Sequence, residues 1–213
     1  MGTHFLNQEL NAANVLEVSF APSVLEPLTP ELRREDYFGI SPPWKSDIEW
    51  RSANSFRSYG VFRACFERLG LSRIVSPFVE YERRIILYSG FFVTRSKCDG
   101  HDFHVDWVEE TQNNAFTFLT PLIHPRGAPG LLLRDVCGEV RSYEYAPGRG
   151  IVLGAGIEHS TDMGASDTPS VLLSLTFGTD KMEYWDAISR TVLGQGNLIR
   201  LPNGLFYNKS FDG

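Results

Sequence analysis

Between Ser52 and Gly70 the apolar positions Phe56, Tyr59, Phe62, Phe66 and Leu69 recur at helical spacing. This predicts an amphipathic helix capped by Ser52 and ended by Gly70. A shorter helix is expected from Pro77 to Glu82. The period then changes. RRIILYSGFFVTR, AFTFLTPL, GLLLRD, EVRSYEY, GRGIVLG and SVLLSLTFG are short runs rich in β-branched and aromatic residues, separated by the turn segments CDG, HPRGAPG, VCG, APG and GASDTP. Such spacing predicts an all-β sandwich or barrel core. KMEYWDAISRTVLG then reads as an amphipathic helix ending at Gly194, and NLIRLPNGLFYN as a hairpin turning at Asn203-Gly204. The first fifty residues look irregular, and their proline-broken stretches APSVLEPLTPEL and ISPPW are expected to wrap the surface.

At 213 residues the chain suits one domain with a sizeable core. Residues 1–84 are expected to be irregular and helical support, 85–180 the β core, and 181–213 the closing helix and hairpin. With 20 Lys plus Arg against 26 Asp plus Glu, the net charge is −6 and no cationic block occurs. That pattern disfavours a nucleic-acid surface, which needs clustered cations. Cys65, Cys98 and Cys137 are widely spaced and form no CxxC pair, so a reducing, cytoplasmic setting is expected. The opening residues lack a basic stretch followed by an apolar run, and Leu6 breaks the myristoylation pattern. No apolar stretch is long enough to span a bilayer, so no membrane partner is expected.

Five histidines occur: His4, His101, His104, His124 and His159. In an extended segment, residues two apart share a face, so His104 and Asp106 of GHDFHVDW can offer two donors to one ion. His159 of GAGIEHST follows a strand-like run and can supply the third. Two imidazoles and a carboxylate on one face of an octahedral ion form the facial triad of non-haem Fe(II) oxygenases, whose opposite face stays open. An HxD tripeptide alone is common, and a histidine at a strand end is often structural. The order of elements carries more weight: HxD after a strand, four strand-like runs, one histidine, one last strand. His101, His104 and His159 form an alternative three-histidine set. Trp107 and Phe103 flank the ligands and suit either a pocket wall or the core. His124, in IHPRG, reads as a surface residue.

HVDW, YEYAPGRGIVLGAGIEHST and SVLLSLTFG together resemble the Fe(II)/2-oxoglutarate-dependent oxygenase superfamily, including its prolyl-hydroxylase-like and phytanoyl-CoA-hydroxylase-like members. The resemblance covers roughly Ile85 to Phe177. It implies a mainly β fold with flanking helices around a double-stranded β-helix (jelly-roll, cupin-like) core. It also implies Fe(II) held by His104, Asp106 and His159, with 2-oxoglutarate and O2 as cosubstrates. In that family a basic residue about nine to eleven positions after the distal histidine pairs with the remote carboxylate of 2-oxoglutarate. Here that window is Thr168, Pro169 and Ser170, without a cation. A guanidinium matches a carboxylate in charge and geometry, so Arg95 or Arg126 is the candidate replacement, supported by the hydroxyls of Thr120, Ser170 or Ser174. Thr94 lies where some relatives contact the cosubstrate.

The expected activity is oxidation, most simply hydroxylation, of a C–H bond in a small molecule such as an amino acid or natural-product intermediate. Two rivals remain: an iron oxidase or dioxygenase that needs no 2-oxoglutarate, and a non-catalytic cupin-like ligand-binding module.

Overall fold

The computed structural model describes residues 3–5, 15–40, 48–135 and 137–211. Its strands are β1 (Thr3–Phe5), β2 (Val15–Ser19), β3 (Tyr37–Ile40), β4 (Ile48–Ala53), β5 (Ile86–Cys98), β6 (Ala115–Ile123), β7 (Leu131–Arg134), β8 (Val140–Tyr143), β9 (Arg149–Leu153), β10 (His159–Thr161), β11 (Gly164–Gly178), β12 (Leu198–Arg200) and β13 (Phe206–Asn208). The helices are α1 (Phe56–Leu69), α2 (Leu71–Val75) and α3 (Trp185–Gln195). An eight-stranded antiparallel sheet runs β1-β2-β9-β6-β11-β5-β4-β3, and a three-stranded sheet runs β10-β7-β8. The six runs read as strands from the sequence all form strands, and together they build a double-stranded β-helix.

Alternation along the central strands explains the layers. Phe92 of β5, Phe116 and Phe118 of β6, Val152 of β9, and Leu173 and Leu175 of β11 join the large core cluster that includes Phe62 and Phe66 of α1. Their sequence neighbours point the other way: Ile151 and Leu153 pack with Leu131, Leu133 and Tyr143 of the small sheet. A period of two on a sheet covered on both faces produces this division. Helix α1 comes close because β5 offers a bare glycine: a Cβ on Gly90 would lie 2.4 Å from Phe62 Cγ.

The N-terminal segment departs from expectation. Rather than irregular support, it supplies β1 to β4, half of the large sheet, with β2 on β9 and β4 on β5. The stretch APSVLEPLTPEL forms three single 3-10 turns and buries Leu25 and Leu28 in the core instead of only wrapping the surface. Most of ISPPW lies outside the described residues.

Ser52 is not the cap of α1. It belongs to β4, where its hydroxyl accepts from Asn197 N–H at 3.0 Å. The cap is Ser55, which closes a reciprocal capping box with Ser58. The expected helix over Pro77–Glu82 is replaced by α2 just before it. The N–H groups of Glu82, Arg83 and Arg84 donate to the Asp180 carboxylate at 2.8–3.0 Å, which satisfies that backbone without a helix. Helix α3 runs one residue past Gly194 and ends at Gly196. The closing hairpin forms as expected, with Gly204 at φ +90°.

Candidate metal centre

The two halves of the candidate site meet through the backbone. His104 N–H donates to His159 O at 3.0 Å and His159 N–H donates to His104 O at 2.9 Å, an isolated antiparallel bridge. Directly paired residues share a face of the ladder, so the imidazoles stand side by side with ring centroids 4.5 Å apart. Asp106, two residues on, turns to the same side. Its Oδ1 lies 4.0 Å from His104 Nε2 and 3.8 Å from His159 Nε2, and the three potential ligand atoms all fall within 4.8 Å of one another.

Backbone carbonyls set the imidazole tautomers. His104 Nδ1 is 2.9 Å from Asp102 O, and His159 Nδ1 is 3.0 Å from Ile157 O. A carbonyl can only accept, so both Nδ1 atoms carry the proton and both Nε2 lone pairs face the gap. Two donors with bonds of about 2.0–2.2 Å can stand up to roughly 4.0–4.4 Å apart around one ion. The separations involving Asp106 fit that span. Two neutral imidazoles and one carboxylate also suit a first-row divalent ion better than a hard cation such as Ca²⁺.

Burial is graded across the trio. The side chains of His159 and Asp106 are 7% and 10% exposed, whereas that of His104 is 51% exposed. Burial pushes the His159 pKa below the ordinary imidazole range; Asp106 opposes the shift and His104 adds to it. Helix α3 supports the aspartate from outside the β core, because Thr191 Oγ1 donates to the Asp106 carbonyl. Trp107 is fully buried and donates from Nε1 to Thr117 Oγ1 at 3.1 Å, so of its two suggested places it takes the core. Phe103 lies under the Arg134 guanidinium, 4.1 Å from ring centroid to Cζ.

The trio opens into a cavity of about 500 Å³ between the two sheets. Phe91, Val93 and Arg95 of β5, Thr117 and Leu119 of β6, and Leu172 and Ser174 of β11 face it, as alternation requires. Arg95 is therefore brought to the site, and it stands directly across the strand pair from Ser170. The lining does not include Thr120, Ser170, Thr94 or Arg126. Thr120 instead donates to Arg149 O at 2.7 Å, and Ser170 to Ile123 O at 3.2 Å. Arg126 is exposed on its loop. His101 turns to Asp162 at 3.3 Å, so the three-histidine set does not assemble. His124 is half-buried, not on the surface, with Nδ1 3.1 Å from Ser170 Oγ and its ring beside Tyr145. Sequence reasoning missed Arg190, Thr191 and Gln195 of α3, which also line the cavity. Their only sequence signal was a helical face of mixed polarity.

No family model and no curated protein matches the chain. Solved structures do. A prolyl-4-hydroxylase from Pseudomonas putida is 13% identical with a TM-score of 0.55, covering 78% of this chain and 92% of that one. HygX from Streptomyces hygroscopicus, solved with nickel and 2-oxoglutarate bound, is 14% identical with a TM-score of 0.51, covering 78% and 83%. SnoN, a non-haem α-ketoglutarate-dependent epimerase from nogalamycin biosynthesis, is 12% identical with a TM-score of 0.53, covering 78% and 77%. The chain thus has the double-stranded β-helix fold of the 2-oxoglutarate/Fe(II) oxygenases.

Proposed function

We propose that this chain is a single-domain, non-haem Fe(II)- and 2-oxoglutarate-dependent oxygenase that oxidises, most simply hydroxylates, a C–H bond of a small molecule with O2. The observation that carries the proposal is the clustering of His104, Asp106 and His159, with both Nε2 atoms and the carboxylate facing one gap in the cavity between the sheets. Those three side chains would hold the iron. Bound there, Fe(II) supplies the redox centre at which 2-oxoglutarate and O2 react. The chain's own work is placement. The Nδ1 bonds hold both rings in register before any ion arrives, and the Asp106 carboxylate offsets part of the cation's charge.

Arg95 is the residue we assign to the remote carboxylate of 2-oxoglutarate. A guanidinium matches a carboxylate in charge and geometry, and the Arg95 Nε donation to Lys97 O at 2.8 Å orients the group. The reading explains why Ser170 need not be a cation: Arg95 approaches from the neighbouring strand at the same register. Trp50, Phe91, Val93 and Leu172 give the cavity apolar walls that limit water around a reacting C–H group. The free thiols Cys65, Cys98 and Cys137 support a cytoplasmic setting.

The test is anaerobic addition of Fe(II) and then 2-oxoglutarate, followed by absorbance. A visible charge-transfer band that requires both supports the proposal. Iron binding without the band points to an oxidase independent of 2-oxoglutarate, and no iron binding refutes the metal centre.

A further inference from the structure

Helix α3 presents Arg190, Thr191, Gly194 and Gln195 to the cavity. These positions follow i, i+1, i+4 and i+5, so they form one helical face. Thr191 is engaged by the Asp106 carbonyl. The other three have properties that packing within the chain does not explain. Gln195 Oε1 is buried and accepts no hydrogen bond from the described residues, a state that a buried acceptor rarely keeps unless a partner arrives from elsewhere. Gly194 is exposed in the last turn of α3, one residue before its end. It does not have a positive φ, and a Cβ there would meet nothing within 4 Å. Neither backbone strain nor a tight neighbour calls for the glycine; it leaves open space beside the cavity. Among the described residues, Arg190 makes only a long, solvent-exposed pair with Glu110 at 3.8 Å, an interaction too weak to fix it. Asp102, from the loop before His104, adds an acid to the same lining.

One cation, one anion and a buried neutral acceptor complement a zwitterion. We propose that the α3 face with Asp102 binds the substrate to be oxidised, and that this substrate is a free α-amino acid. Its carboxylate pairs with Arg190, its ammonium donates to Gln195 Oε1 and Asp102, and its side chain passes over Gly194 toward the His104–Asp106–His159 cluster. The assignment keeps the substrate's anion apart from Arg95, which is rooted on β5. It takes the oxygenase reading as its setting, but the recognition step needs no metal.

Calorimetric titration with each of the common L-α-amino acids tests it, on the metal-free chain and anaerobically with Fe(II) and 2-oxoglutarate present. At least one should bind with a Kd below about 1 mM, and its decarboxylated amine and its deaminated acid should each bind at least about tenfold more weakly. Arg190→Ala and Gln195→Leu should each weaken binding about tenfold or more, Arg190→Lys should restore part of the loss, and Gly194→Leu should abolish it. All four variants should keep the Fe(II)/2-oxoglutarate band. Absence of binding by every amino acid under both conditions overturns the proposal, as does binding unchanged in Arg190→Ala and Gln195→Leu. A wild-type chain that binds an amino acid in this pattern but forms no band would overturn the oxygenase reading and leave this one standing.

Discussion

Replacing Thr191 by Val removes one hydroxyl and almost no volume, so it isolates the link between α3 and the backbone of Asp106. A neutral hydrogen bond contributes about 0.5–1.5 kcal/mol net, and stranding a buried partner costs about 1–3 kcal/mol. Thr191 is half-buried, so water replaces part of what is lost. The expected fall in stability is about 1–2 kcal/mol. If all of that loss fell on the placement of Asp106, iron affinity would drop by at most about thirtyfold, since each 1.4 kcal/mol is a factor of ten. Urea denaturation of the metal-free chain measures the first quantity and anaerobic Fe(II) titration the second. An unchanged urea midpoint together with unchanged affinity would refute the idea that α3 supports the site. Complete loss of iron binding would refute it in the other direction, by making Thr191 a ligand in its own right.

Other perturbations probe separate parts of the molecule. His104→Ala and Asp106→Ala should each abolish measurable Fe(II) binding, and an unchanged titration in either would remove that residue from the ligand set. Arg95→Ala should leave Fe(II) binding nearly intact while raising the 2-oxoglutarate concentration needed for the charge-transfer band by about tenfold to a hundredfold, because a charged hydrogen bond is worth about 1.5–3 kcal/mol; an unshifted titration places the anchor elsewhere. Gly90→Ala should destabilise the chain by about 1–3 kcal/mol through overpacking against Phe62, read from the urea midpoint. Glu31→Gln tests an ion pair far from the cavity. Hydrogen bonds from Arg57 hold the Glu31 carboxyl below the ordinary 4.5, against the opposing effect of burial and with help from Tyr37. Unfolded Glu31 therefore takes up its proton at higher pH than folded Glu31, so its contribution is complete above about 4.5 and fades as pH falls through the folded value. The variant should be less stable than wild type at neutral pH, and the gap should narrow in acid; a gap independent of pH contradicts the assignment.

Much of the β core was legible in the chain because it is written locally. Strands β5 to β9 and β11 came from short β-branched and aromatic runs between turn residues, and the hairpin came from Asn203-Gly204. The N-terminal strands were not legible. Their segments are short and interrupted by prolines, and they become strands by pairing with β9 and β5, far away in the sequence. The cap of α1 was misplaced for a related reason: Ser52 and Ser55 are equally good caps by residue type, and the pairing of β4 with β5 removed Ser52 from the choice.

The site divides along the same line. His104 and Asp106 could be paired from the sequence because the two-residue repeat of an extended chain is a local rule, and His159 followed from the order of elements. Which nitrogens face the gap, however, depends on the carbonyls of Asp102 and Ile157, and the two rings stand together only through the bridge between His104 and His159. Arg95 became the cavity's inner cation; Thr120 takes the other face of β6 by alternation, and Ser170, although paired with Arg95, gives its hydroxyl to the Ile123 carbonyl. Thr191 reaches Asp106 across 85 positions. Periodicity and turn chemistry act over a few residues and specify elements; contacts over such separations exist only once those elements have packed, so the composition of the cavity was decided by the tertiary structure.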